Sequence, residues 1–293
     1  ILAHGSAGFP PLLREISDPP TVLYAQGCYE PRDALAIAFV GARHASPYGL
    51  RQATTLAASL SRAGMTIVSG LARGIDAAAH RSALQAGGRT LAVMAGGLAE
   101  IYPPEHRALA DQIADSGAVI SEVALQTKPR RGAFPRRNRL ISGLSLGVIV
   151  VEATYRSGAL ITARHAAEQG RDVFAVPGPV DARTSRGCHL LLRDGAVLVR
   201  NADDVLEELG PFLTPLPVEA EQTVRHAAEL RLNELEQRVL RAIDDASTSV
   251  DQLVIRCELP VQRILAALSV LETRRLVERI AGDRVQRRYG PLG

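Results

Sequence analysis

The chain has 293 residues, 46% hydrophobic and 22% charged. That is enough for an ordinary globular core, in one large domain with a small one or in two medium domains. A formal charge of +3 and a pI near 9.0 are too mild to mark a nucleic-acid binder, so such a reading rests on where the positive charge sits. Cys28, Cys188 and Cys257 are odd in number and far apart, offering neither a disulfide framework nor a metal-type spacing. Reduced thiols and a cytoplasmic location are expected. No run is apolar and long enough to span a bilayer, and no signal peptide is visible.

Residues 1–34 read as a lead-in rich in Pro and Gly, with short apolar pieces at Pro11-Leu12-Leu13 and Val22-Leu23-Tyr24. Regular structure is expected from Leu35. Leu35 to Val40 is a buried strand ended by Gly41, and Tyr48 to Ala63 a helix closed by Gly64. Met65 to Ser69 is a strand, and Ile75 to Ala86 a helix closed by Gly87-Gly88. Strands follow at Thr90 to Met94, Ala118 to Ser121, Val148 to Glu152, Asp172 to Val176 and Ala196 to Val199. Helices fall between them at Glu105 to Asp115, Ala159 to Gln169 and Gly187 to Arg193. This alternation predicts an α/β fold, an extended Rossmann-like, mostly parallel sheet with helices on both faces, over 35–210. In such a sheet the site lies beyond the carboxyl ends of the strands.

Residues 211–231, with Pro211, Pro215 and Pro217, read as a linker. Residues 232–293 give three helical patterns and a hairpin around Gly282-Asp283, a small C-terminal winged-helix domain. Ser249 reads as an N-cap and Pro260 as a first-turn residue. Arg274, Arg275, Arg279, Arg284, Arg287 and Arg288 make this end basic; duplex phosphates, a protein-docking surface and a solvated face are all open readings. The third helix offers few base-reading side chains beyond Gln262 and Arg263.

The densest chemistry is at 130–143. Arg130, Arg131, Arg136, Arg137 and Arg139 surround Phe134 and Asn138. Arginine forks suit phosphate oxygens, and a phenylalanine among them offers a flat face to a base. A core position before Pro135 is the alternative for Phe134, and an internal ion pair the alternative for Arg139. In an extended segment Arg136 and Arg137 would point opposite ways, leaving at least one structural. Gly41-Ala42-Arg43 lies between a strand and a helix, so Arg43 either reaches an anion or caps the turn. Ser69 to Gly74 opens a small-residue pocket containing Arg73. Asp76 and His80 share a helical face, as an acid/base pair or, preferably, as a helix-start carboxylate and a hydrogen-bonded histidine. Ser157-Gly158 opens a helix with Thr162 one turn in, a second anion cup, and Glu152 is expected to orient nearby arginines. No P-loop, H-E-x-x-H, G-x-S-x-G or C-x-x-C signature occurs.

At these residues the chain resembles the DNA-processing protein A (Smf) family of natural transformation. The resemblance rests on Val40 to Arg43, Ser46 to Gly49, Ser69 to His80, Ile101 to Glu105, Phe134 to Arg139, Ser157 to Ala163, Val176 to Gly178 and Ser185 to Cys188. Ala42 stands where the family usually carries Ser. The resemblance implies a dimeric, non-catalytic protein without a cofactor that binds single-stranded DNA and helps load a RecA-type recombinase. It implies a DNA site made of Arg43, Arg73, Phe134, Arg136, Arg137, Asn138, Arg139, Ser157, Gly158 and Thr162. Two other classes compete. A nucleotide-cleaving hydrolase of the lysine-decarboxylase-like type would need a P-G-G-x-G-T-x-x-E run that this chain lacks. A winged-helix transcription regulator would bind duplex through its C-terminal domain alone.

Overall fold

The structure is a computed structural model that describes residues 1–6, 8–210, 234–243, 247–257, 259–273, 276–280 and 283–287. The expected linker at 211–231, and Arg274, Arg275, Gly282 and Arg288, lie outside these residues. The chain divides into two units, Ile1–Leu209 and Gly210–Gly293.

The first unit runs β1 (Leu2–Ala3), α1 (Pro11–Arg14), β2 (Val22–Gly27), β3 (Ala36–Gly41), α2 (Pro47–Arg62), β4 (Thr66–Ser69), α3 (Ile75–Gln85) and β5 (Thr90–Met94). It continues with α4 (Arg107–Ser116), β6 (Ala118–Ser121), α5 (Ala133–Gly143), β7 (Gly147–Val151), α6 (Gly158–Glu168), β8 (Asp172–Ala175), α7 (Arg186–Arg193), β9 (Val197–Leu198) and α8 (Ala202–Leu209). The strands form a nine-stranded sheet in the order β1-β2-β6-β5-β4-β3-β7-β8-β9. All pairs from β6 to β9 are parallel, while β2 lies antiparallel to β6 with Tyr24 opposite Ser121.

Strand residues alternate between two cores, as a pleated sheet requires. Leu91 and Val93 of β5 face Leu140, Ile141 and Ala163, whereas Ala92 and Met94 face Leu98, Leu109 and Ile113. Both faces are covered by helices, which is why the strands read as continuous apolar runs. The first 34 residues belong to this unit. Phe9, Leu13 and Leu23 are almost wholly buried in its core, each contributing roughly 1.5–3 kcal/mol relative to exposure. At the amino ends of the strands Arg89 forks onto buried Asp33, with both N–O distances 2.8 Å, and also reaches Glu30 at 2.8 Å.

The segment from 133 to 143, to which the sequence pattern assigned no element, is a helix, so the divergence of Arg136 and Arg137 argued for an extended segment does not apply. Pro135 sits in its first turn, where a missing N–H costs nothing.

The second unit contains α9 (Glu234–Ala242), β10 (Thr248–Ser249), α10 (Val250–Cys257), α11 (Val261–Thr273), β11 (Val277–Ile280) and β12 (Arg284–Arg287). Its sheet order is β10-β12-β11, with antiparallel pairing, and the unit is a winged-helix domain. Ser249 caps α10 reciprocally: Gln252 N donates to Ser249 Oγ at 3.3 Å, and Ser249 N donates to Gln252 Oε1 at 3.1 Å. Leu253, Ile264, Leu268, Leu271 and Val285 form its core.

Candidate nucleic-acid interface

The chain winds from β3 outward to β6, then returns to the other side of β3 with β7. The two post-strand loops therefore diverge between β3 and β7, leaving the crevice in which doubly wound sheets hold ligands. A cleft of about 570 Å³ lies there. Gly41 ends β3 at its base, where a Cβ would collide with the Val151 carbonyl and the Ile75 side chain.

Helix α5 supplies one wall. Phe134, Arg137, Asn138 and Ile141, spaced i, i+3, i+4 and i+7, all line the cleft. Arg43 approaches from the loop after β3, its guanidinium 5.2 Å from the centre of the Phe134 ring. The Tyr102 ring meets Phe134 edge-on at 5.7 Å and 64°. Arg43 and Tyr102 are exposed and Phe134 is half-buried, so an aromatic and cationic rim stands at the mouth.

The floor is polar and buried. Arg137 is 6% exposed and donates to the carbonyls of Gly70 (2.9 Å) and Val93. A Cβ on Gly70 would lie 2.5 Å from Arg137 Nη2, so this close approach requires glycine. Burial lowers the Arg137 pKa to about 10, against the opposing pull of Asp76. The group remains a cation at neutral pH. The Asp76 carboxylate accepts from the backbone N–H of Gly70 (3.1 Å) and Ala72 (3.3 Å); burial raises its pKa while Arg137 and these donors hold it down. Asp76 thus shapes the loop after β4 rather than forming an acid/base pair.

The opposite wall is the start of α6. Ser157 caps it, accepting from Ala159 N at 3.3 Å. A Cβ on Gly158 would meet nothing within 4 Å, so the backbone there is open to a ligand. Thr162 lines the cleft at 1% exposure, and its hydroxyl has no hydrogen-bond partner among the described residues. Glu152 has a left-handed backbone, φ 54°, and accepts from Ser46 N (2.8 Å), Ser46 Oγ (2.5 Å) and Thr184 Oγ1 (3.4 Å). It ties α2 to the loop before α7 and does not orient the arginines as expected.

Seven of the ten residues named from sequence line the cleft: Arg43, Phe134, Arg137, Asn138, Ser157, Gly158 and Thr162. Arg73 stands at its margin, paired with Glu105 at 2.5 Å. Arg136 and Arg139 stand apart. Helical geometry turns Arg136 outward, 3.6 Å from Glu122. Arg139 forks onto Glu122 (2.8 and 2.7 Å) and reaches Asp18 (3.0 Å) with its side chain only 9% exposed, so its donors are spent on carboxylates. Among the other lining residues, Tyr102 and Arg131 have side chains suited to a nucleic acid but were not among those ten; Arg131 was read only as part of the arginine cluster. The signal for Arg131 was its place three residues before Phe134.

No cluster of metal-ligating side chains occurs among the described residues. Cys28 is exposed; Cys188 and Cys257 are buried, and burial pushes the Cys188 thiol up to about 11. No described helix is long and apolar enough to cross a membrane.

His80 lies behind the floor, fully buried. Thr90 Oγ1 donates to the Ile67 carbonyl, so the 2.6 Å contact with His80 Nδ1 is a bond donated by the neutral imidazole. Burial, with His106, Arg137 and Arg81 nearby, lowers its pKa to about 3. Between pH 6.5 and 3 the unfolded chain binds this proton and the folded chain does not. Stability is therefore lost as pH falls through this window, by up to about 1.4 kcal/mol per unit. His80→Gln removes that dependence, so the stability gap between parent and variant narrows as pH falls through the window in urea titrations. A gap constant with pH contradicts this assignment.

Residues 1–210 match the profile of the DNA recombination-mediator protein A family, and residues 222–283 that of the DprA winged helix domain. The chain belongs to the DNA recombination-mediator protein A (DprA) family. It is 40% identical over 289 residues to Protein Smf of Escherichia coli K12, covering 98% of this chain and 77% of that protein. It is 45% identical over 205 residues to DNA processing protein DprA of Bacillus subtilis, covering 70% and 69%. DprA of Streptococcus pneumoniae has a similar structure, with a TM-score of 0.68 and 43% identity over 71% of this chain and 73% of that one. DNA processing protein A of Helicobacter pylori gives a TM-score of 0.63 and 33% identity over 68% and 92%, and its structure was described for its single-stranded DNA binding mode. The DprA match thus spans the whole unit that carries the cleft.

Proposed function

We propose that this DprA-family chain binds single-stranded DNA in the cleft between β3 and β7, without catalysis. It would protect strands taken up in natural transformation and help load a RecA-type recombinase, acting in the cytoplasm as a homodimer. The observation that carries this reading is the convergence of buried Arg137, the Arg43–Phe134 stack and the open α6 terminus on one cleft. Arg137 and the α6 N–H groups suit a phosphate; Phe134 suits an unpaired base. A paired base cannot reach the ring without leaving its stack, so the site disfavours duplex. One such grip is small, and a second protomer on the same strand raises avidity without new contacts.

The test is a salt titration of fluorescent single-stranded and duplex oligonucleotides. Tighter single-strand binding, with log K falling linearly against log salt, supports the reading. Equal affinity for duplex, or release of free base from nucleoside monophosphates, overturns it.

A further inference from the structure

We propose that the strand continues out of the cleft along the loop carrying Lys128, Arg130 and Arg131, which contacts its phosphates. This rests on the reading of the cleft as a single-strand site and adds the path by which the strand leaves it.

The loop between β6 and α5 is anchored to the end of β5. Gly97 N donates to Thr127 O at 2.8 Å and Ala99 N to Leu125 O at 2.9 Å, while Ala133 N donates to Arg130 O at 2.9 Å at the start of α5. Pro129 closes against Gly96, where a Cβ would lie 2.9 Å from Pro129 Cδ. The loop is therefore a built ledge.

Its three cations are exposed, and their side chains make no ion pair or hydrogen bond among the described residues. The contrast with the surrounding arginines is sharp. Arg73 has Glu105, while Arg136 and Arg139 share Glu122, the acid nearest in sequence to the ledge. Arg131 already lines the cleft. Lys128, three residues earlier, lies within about 11 Å of it along the backbone. Uncompensated positive charge thus runs without a break from the cleft onto the ledge. A polyanion entering the cleft is the partner that this continuity fits.

Lys128 is the only lysine in the sequence, so amine acylation reports on it alone beside the α-amino group. A phosphate held against it stabilises the ammonium by about one pKa unit, which slows acylation about tenfold. An oligothymidylate of about 20 nucleotides exceeds the roughly 4–16 usual for single-strand sites. Saturation with it slows Lys128 acylation about tenfold, whereas saturation with a trinucleotide leaves the rate unchanged. Lys128→Ala with Arg130→Ala lowers the salt slope for the long strand by about 1.4, at about 0.7 per phosphate contact, and spares trinucleotide binding. Long-strand binding with unchanged acylation and slope overturns the path while leaving the cleft reading intact; such a ledge would serve an acidic protein partner instead. A parent that binds neither oligonucleotide overturns both.

Discussion

Arg139→Ala lowers the unfolding free energy by about 3 kcal/mol and leaves the single-strand affinity of the folded protein unchanged. The side chain is 9% exposed and its fork is filled by Glu122, itself 18% exposed, with Asp18 as a second acceptor. Removing it leaves the largely buried Glu122 carboxylate with only the exposed Arg136, 3.6 Å away, as a partner, and breaking such a pair costs about 3–5 kcal/mol. The lower end applies because Asp18 is 73% exposed and recovers its water. Chemical denaturation reads the first half of this result, and fluorescence anisotropy below the unfolding range reads the second. Intact stability with a tenfold loss of affinity would move Arg139 into the DNA site.

Phe134→Ala has the opposite signature: affinity for a single strand falls by about 5- to 150-fold with little change in stability. Base–aromatic stacking is worth about 1–3 kcal/mol per base, and Phe134 is the half-buried ring on the cleft wall. Arg43 lies over that ring, with its guanidinium 5.2 Å from the ring centre. The guanidinium both braces the ring and presents charge at the mouth, so Arg43→Ala also weakens binding. The two effects are not additive, because a cation–π contact of about 0.5–1 kcal/mol couples them. A double-mutant cycle measured by anisotropy detects the coupling. Strict additivity removes the coupling between Arg43 and Phe134, and wild-type affinity in Phe134→Ala removes the ring from the interface.

The loops around the cleft were legible in the sequence because the strands before them are buried on both faces. Ala36 to Gly41 and Gly147 to Val151 are continuous apolar runs, and the residues after them therefore had to lie at the carboxyl edge. Helix α5 was not legible. Its cleft face carries Phe134, Arg137 and Asn138 in place of three aliphatic residues, and Pro135 breaks the expected pattern. The fates of its arginines were equally hidden. Arg137 is fixed by carbonyls 67 and 44 residues away, and Arg139 by Asp18, 121 residues away. Their burial follows from tertiary contacts that no local pattern encodes. Strand β2 escaped for a related reason: its six residues pair antiparallel with β6, nearly a hundred residues on, amid the Pro and Gly of the first segment.

Charge count is a poor guide here for the same physical reason. Of the five arginines at 130–139, Arg137 lies in the floor, Arg139 is locked beneath the surface and Arg131 lines the rim. What concentrates positive charge at the cleft is the geometry that leaves some guanidinium groups facing it and neutralises others.

The most direct measurement of the central claim is photocrosslinking of an oligonucleotide carrying 5-iodouracil, followed by mapping of the attached peptide. The account predicts attachment at Phe134 or Tyr102, abolished in Phe134→Ala with Tyr102→Ala. Attachment confined to the winged-helix unit, or to aromatic residues outside the cleft, would contradict it.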